Sequence, residues 1–260
     1  MATMLGKYFS LEEFTYSDTA KAKNINNFPG NEHYLNMIEF IRNVLDPLRE
    51  DWGQYCIENN LDSPGLRISS GYRGPTLNKE VGGSSTSQHC HGQAADIIPT
   101  NGKLLEFKKF CFKWVYEKHY AAGKKFFNQI ISEGQVGSSI EGKPRWIHIA
   151  SGGENRGEFM YAATKNGKAN GSVGGAVKYS ITDVERFINN TTINYMSEPS
   201  TDGPIPDYEA PEYENSIKSS NVTYDRFYEV SETIDSTSSD SNNILRIDPS
   251  NNQNWFETKY

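Results

Sequence analysis

From about Glu32 to Asn59, apolar side chains recur at three- and four-residue steps, at Leu35, Ile38, Ile41, Val44, Leu45, Leu48 and Tyr55. This spacing predicts an amphipathic helix with one face on a core. Pro47 falls inside it and is expected to kink or divide it. The same periodicity returns from Leu104 to Tyr120, where Phe107, Phe110, Cys111, Trp114 and Val115 share a face. Elsewhere the period is shorter. Leu66 and Ile68 alternate with polar neighbours in LRISSGYR and predict a short strand ended by Gly71, while QAADIIP, bounded by Pro99, reads as a buried strand. FFNQIISEG and RWIHIAS predict two more strands from their aromatic and β-branched content. Near the start, Ser10 followed by Glu13 has the form of a capping box opening a short helix. The stretch GPTLNKEVGGSSTSQHCHG reads as a long loop.

After about Gly152 the patterns weaken. Glycines at 167, 171, 174 and 175 suggest a hairpin or linker, and Ile181 to Ile193 predicts a short helix starting at Thr182. From Glu198 onward the chain is dominated by Ser, Thr, Asn, Asp, Glu and Pro, with 13 acidic against 4 basic residues. That segment carries −9 of the formal net charge of −7, so the other 197 residues hold +2 and the acidity belongs to the tail. Such a composition buries too little apolar area to offset its ordering entropy. The expected organisation is a domain over 1–160, a Gly-rich linker with a short helix over 161–197, and an acidic low-complexity tail over 198–260. The expected fold class is α+β: a small, mostly antiparallel sheet flanked by helices, with the extended acidic tail.

Composition removes several functions. A hydrophobic content of 36% and the lack of any run of roughly 20 apolar residues argue against a transmembrane segment. The opening MATMLGKYFSLEEF carries charge where a secretory signal needs an unbroken apolar stretch, so the expected location is a cytoplasm. The absence of a basic stripe argues against nucleic acid, and nothing supports membrane binding. Cys56, Cys90 and Cys111 fit neither a paired disulfide framework nor a zinc ribbon, so reduced thiols are expected. Cys90, between two histidines, is read as a small packing residue.

The chemistry concentrates in SQHCHGQAADI. His89 lies in the loop and Asp96 on the strand that follows, so an imidazole nitrogen and a carboxylate oxygen can converge on one point, and both are good zinc ligands. A catalytic site takes a third protein group and leaves the fourth position to water. Among the other histidines, His148 inside RWIHIAS is best placed, whereas His33 and His119 lie on expected helices and read as exposed or core-edge residues.

The motif Ser-x-His-x-x-Gly-x-Ala-x-Asp, met at Ser87, His89, Gly92, Ala94 and Asp96, resembles that of the zinc D-Ala-D-Ala carboxypeptidases and L-alanyl-D-glutamate endopeptidases that hydrolyse peptidoglycan. The preceding SGYR, the later Trp-x-His and the opening F-S-L-E-E-F extend the resemblance over roughly residues 8–151. The resemblance implies zinc held by His89, Asp96 and His148. It implies that Arg73 grips a substrate carboxylate or an oxyanion, and that Ser87 and Gln88 donate hydrogen bonds to substrate. Many relatives carry an acidic residue three positions before the last histidine, where this chain has Arg145. Members with an Arg-Trp-x-His ending look similar in carrying a Glu at the end of the preceding strand, so the resemblance implies Glu133 as the general base, with Glu141 as the fallback and His91 as a second acid or oxyanion donor.

The function so implied is a zinc peptidase cutting the stem peptide or cross-bridge of peptidoglycan, as a phage endolysin or virion-associated lysin. The acidic tail is expected to order against neighbouring virion proteins. The competing reading is a catalytically inactive virion structural or docking protein on the same fold.

Overall fold

Strand and helix propensities along the chain resolve into an α+β arrangement in the computed structural model, which describes residues 2–62, 64–163 and 175–190. The tail over 198–260 lies outside the described residues, as does much of the expected linker. In chain order the elements are α1 (Leu11–Thr15), α2 (Asp18–Ala22), α3 (Asn31–Phe40), α4 (Asp46–Glu58), β1 (Leu66–Ser70), α5 (Pro75–Glu80), β2 (Ala94–Pro99), α6 (Leu104–Tyr116), β3 (Gln129–Gln135), β4 (Trp146–Ala150), β5 (Glu158–Ala163), β6 (Val177–Lys178) and α7 (Ile181–Asn189).

The long amphipathic segment forms as its spacing predicts, but a π-helical stretch, Ile41–Leu45, joins α3 to α4. Pro47 sits in the first turn of α4, where its missing N–H is tolerated. Ile41, Val44, Leu45 and Leu48 are buried as expected, whereas Leu35 is 57% exposed and does not face the core. In the N-terminal cap, Ser10 Oγ accepts from Glu13 N at 3.1 Å. The Glu13 carboxylate also accepts from Ile68 N at 3.3 Å, tying the cap to β1. The second long helix reaches Tyr116 and continues as a π-helical turn, Glu117–Ala121.

Six strands form one sheet in the order β1-β2-β4-β3-β5-β6. Every pairing is antiparallel except β3 with β5, which run parallel. One face of the sheet packs on α4, α6 and α7 through Ile97, Ile130, Ile147, Ile149, Phe107, Phe112 and Phe187. Trp52 of α4 meets Phe107 of α6 edge-on, with centroids 4.9 Å apart, an arrangement that adds about 1 kcal/mol to area burial.

Several elements were invisible in the pattern. The stretch read as one long loop contains α5 and a 3₁₀ turn, Gln88–His91. β5 is absent from the sequence reading because EFMYAA lacks a clear alternation, yet it pairs along the whole of β3. The last helix begins after Ser180, whose Oγ accepts from Asp183 N at 3.1 Å, rather than at Thr182. Val184, Phe187 and Ile188 of that helix are buried in the main core. All three cysteines are free, with Cys56 and Cys111 buried. Among the described residues, no helix is long and apolar enough to cross a membrane.

Candidate metal centre

Two adjacent antiparallel strands build most of the centre. Asp96 on β2 and His148 on β4 are directly opposed in register, and Ile131 of β3 lies on the other side of His148. Because side chains alternate along a strand, Asp96 and His148 point to the face opposite the core residues Ile97, Ile147 and Ile149. His89 is brought over this face by the 3₁₀ turn that precedes β2. Gly92 ends that turn at φ 70°, and a Cβ there would lie 2.6 Å from the His33 carbonyl oxygen, so the motif's glycine is required both for conformation and for contact with α3.

The three side chains meet closely. His148 Nδ1 lies 2.9 Å from Asp96 Oδ1, His89 Nε2 lies 3.2 Å from His148 Nδ1, and His89 Nε2 lies 3.4 Å from Asp96 Oδ1. A tetrahedral zinc with bonds of roughly 2.1 Å separates its ligand atoms by roughly 3.4 Å, so the spacing fits one ion. His89 Nδ1 is 2.7 Å from the Gly71 carbonyl oxygen. That contact places the ring proton on Nδ1 and leaves the Nε2 lone pair facing the other two residues. Burial holds the His89 imidazole below its ordinary pKa, which keeps it neutral. Burial alone would raise the Asp96 carboxyl, but the two imidazoles beside it hold it well below the usual carboxylate range. A neutral imidazole and an ionised carboxylate are the states that metal ligation needs. Among the described residues, His89, Asp96 and His148 are the one group of this kind with ligand atoms within 4.8 Å of one another.

Glu133 stands opposite Trp146 across the β3–β4 ladder, one pleat along from His148. The Trp146 indole N–H donates to Glu133 Oε2 at 3.1 Å. Burial, then the charge of Asp96, push the Glu133 carboxyl up to about 7. Arg73 follows β1. Its Nη1 donates to Ser70 Oγ at 3.2 Å and stands 3.9 Å from Asp96 Oδ2, while Nη2 reaches Ser87 Oγ at 3.4 Å. Its Nε is buried without a hydrogen-bond partner.

A Peptidase M15 family model matches residues 7–131. Over those residues the chain is similar to the M15 peptidases. It includes His89 and Asp96 and stops short of Glu133 and His148, which the sheet itself adds to the group. No curated protein matches the chain.

The remaining expected site residues divide. Ser87 lies beside Arg73, but the Gln88 amide donates to the Ser151 carbonyl at 3.0 Å and so ties the His89 turn to the end of β4. Glu141 is exposed in the loop between β3 and β4, and its charge acts on Lys108 and Lys109. His91 is exposed and faces His33, with ring centroids 5.8 Å apart. Arg145 is exposed, with its stem against Gly134. His119 is buried against Phe127 and Tyr120, in keeping with a core-edge residue, and His33 bonds to the Tyr72 hydroxyl. Sequence reasoning missed three supporting groups. These are the Gly71 carbonyl behind His89, the Ser70 hydroxyl on Arg73, and Gln129, whose amide lies 3.4 Å from His148 Nε2. Gln129 alone left a trace, as a polar residue on the same strand face as Glu133.

Proposed function

We propose that this chain is a zinc peptidase that hydrolyses a peptide bond in peptidoglycan. The observation that carries the reading is the convergence of two imidazoles and one carboxylate, with ligand atoms 2.9 to 3.4 Å apart, on the strand face that also carries the separate Glu133 carboxyl. His89, Asp96 and His148 would hold the ion. When bound, zinc supplies Lewis acidity, activating water and polarising the scissile carbonyl. Glu133 takes the proton from the attacking water through its carboxylate and returns it to the leaving amine. The Trp146 N–H keeps Glu133 Oε2 fixed and leaves the other oxygen to receive the proton. Arg73, fixed by Ser70 and Ser87, presents its guanidinium to the oxyanion or to a substrate carboxylate.

Burial raises the Glu133 carboxyl in the metal-free protein, which brings it toward the working pH that suits both halves of that proton transfer, and the charge of a bound zinc ion would draw it back toward the ionised form that accepts the proton. The position three residues before His148 does not supply the base, because Arg145 occupies it; Glu133 supplies the carboxylate from the neighbouring strand. The finer reading, a lysin of the phage type cutting the stem peptide, rests on the resemblance of SQHCHGQAADI, SGYR and F-S-L-E-E-F to such enzymes.

Purified cell walls incubated with the zinc-loaded protein should release peptide fragments, and mass spectrometry of the new termini identifies the bond. His89→Ala should release none. Stoichiometric zinc binding with no fragments from any wall type would defeat the peptidase reading.

A further inference from the structure

Lys108 is a charged group that the proposed chemistry leaves unused. It projects from α6 beneath the core side of the sheet and is fully buried. Its Nζ donates to Gln135 Oε1 at 3.1 Å and to the Gly142 carbonyl at 2.9 Å. The rings of Phe112, Tyr179 and Phe187 surround it, with centroids 5.5 to 5.7 Å away. Burial pulls this ammonium down to about 7. A lysine kept in such a place costs stability that methionine, of similar volume, would not.

Its main partner, Gln135, is itself buried and fully engaged. Gln135 Oε1 also accepts from Ser132 Oγ at 2.6 Å and from the Tyr179 hydroxyl at 3.2 Å. Its Nε2 donates to the carbonyls of Gly137 at 2.9 Å and Ser139 at 3.0 Å. This one carboxamide therefore joins α6, the end of β3, the loop that leads to β4, and Tyr179, which follows β6 and lies two residues before α7.

The strand's geometry gives this network a consequence for Glu133. In a regular strand, residues 133 and 135 would share a face. Here Glu133 pairs opposite Trp146, on the face that carries His148, whereas Gln135 turns into the core. The ladder to β5 slips between them, Glu133 facing Ala162 and Gln135 facing Ala163. Gly134, at φ 70°, is the extra residue of a β-bulge. A glycine bulge has little stiffness of its own, so the anchored side chain beyond it sets where the strand turns.

We infer that Lys108 and Gln135 are positioning residues for Glu133, clamping the far side of the Gly134 bulge so that the Glu133 carboxylate is held toward the metal face. The inference rests on the reading of Glu133 as general base. It also gives the segment carrying Tyr179 and Phe187, beyond the part matched to the M15 family, a share in placing that base.

The test compares the full zinc-loaded chain with Lys108→Met, Tyr179→Phe and Glu133→Gln, using soluble muropeptides as substrate. Lys108→Met should lower kcat about tenfold with KM and zinc affinity unchanged. The Trp146 indole N–H resonance, identified among the four tryptophans with Trp146→Phe, should move toward its position in Glu133→Gln. Tyr179→Phe, which removes one hydroxyl and keeps the ring, should shift both readouts in the same direction by two- to threefold less. Loss of activity in Glu133→Gln, together with wild-type kcat and Trp146 resonance in folded Lys108→Met, overturns the inference alone. If Lys108→Met does not fold, wild-type values for Tyr179→Phe overturn it. Full activity in Glu133→Gln overturns the general-base reading and the inference with it.

Discussion

Asp96 and His148 face each other across the β2–β4 ladder, with Oδ1 and Nδ1 2.9 Å apart, so a backbone pairing sets the spacing of two candidate metal ligands. Sites built on paired strands are held more tightly than sites on loops. Only His89 comes from a turn, and that turn is fixed by the Gly71 carbonyl behind the ring and by the Gln88 amide on Ser151. Asp96→Asn keeps the shape and removes the charge. It should weaken zinc binding more than about 100-fold, beyond the effect of losing an outer partner, as read by competition with a chromogenic chelator.

Zinc should also stabilise the fold. With free zinc at about 100 times its dissociation constant, linkage adds about 2.7 kcal/mol. For a domain of this size that corresponds to a rise in Tm of roughly 5 to 10 °C. Differential scanning fluorimetry should show the rise in the wild-type protein, its reversal by a chelator, and its absence in His148→Ala.

Glu133 carries a pH signature in the metal-free protein. Its folded pKa, about 7, lies above the ordinary carboxyl value of 4.5, so the folded state binds the proton more tightly than the unfolded chain does. Its stabilising contribution is therefore complete below pH 4.5 and is lost as the pH rises through 7. The His89 imidazole, held down by burial, works in the opposite sense, because its contribution is lost as the pH falls. The difference between wild type and Glu133→Gln isolates the carboxyl group. Urea unfolding across pH 4 to 8 should show the wild type losing roughly 1 to 3 kcal/mol relative to the variant over that window. A difference that stays flat with pH would contradict the placement of Glu133.

How far the sequence anticipated this site depends on the physics behind each part. The grouping of His89, Asp96 and His148 was legible because zinc chemistry restricts candidate ligands to a few residue types, and the strands bearing two of them announce themselves by apolar content. The 3₁₀ turn at Gln88–His91 and the helix at Pro75–Glu80 were not legible, since Gly- and Ser-rich composition reads as loop whatever local hydrogen bonds form. Leu35 followed the helical period yet faces solvent, because periodicity names a face and not where its coverage ends. The role of Gln135 depends on a one-residue bulge, and a bulge reverses side-chain direction without changing composition.

Arg73 offers a test of oxyanion or carboxylate recognition separate from metal binding. Its guanidinium fork is held between Ser70 and Ser87, and a lysine ammonium cannot keep both bonds while presenting further donors to substrate. Arg73→Ala and Arg73→Lys should both lower kcat/KM, by about 100-fold and at least about tenfold respectively, with zinc stoichiometry unchanged. Steady-state kinetics on soluble muropeptides measures both. A lysine variant with wild-type kcat/KM would reduce Arg73 to a point charge.

Gly92 links the motif to stability rather than to chemistry. Its φ of 70° disfavours any L side chain, and an added Cβ would meet the His33 carbonyl oxygen and the Met37 side chain, both at 2.6 Å. Backbone cannot yield as a flexible side-chain tip can, so Gly92→Ala must either shift α3 or displace the turn that carries His89. The expected cost is about 2 kcal/mol or more, the sum of a left-handed conformation and a steric clash. Because the displaced turn carries a ligand, chemical denaturation should show a larger loss in the zinc-bound protein than in the metal-free protein. Equal losses in the two states would mean that the turn re-forms around the ion and that the glycine serves packing against α3 alone.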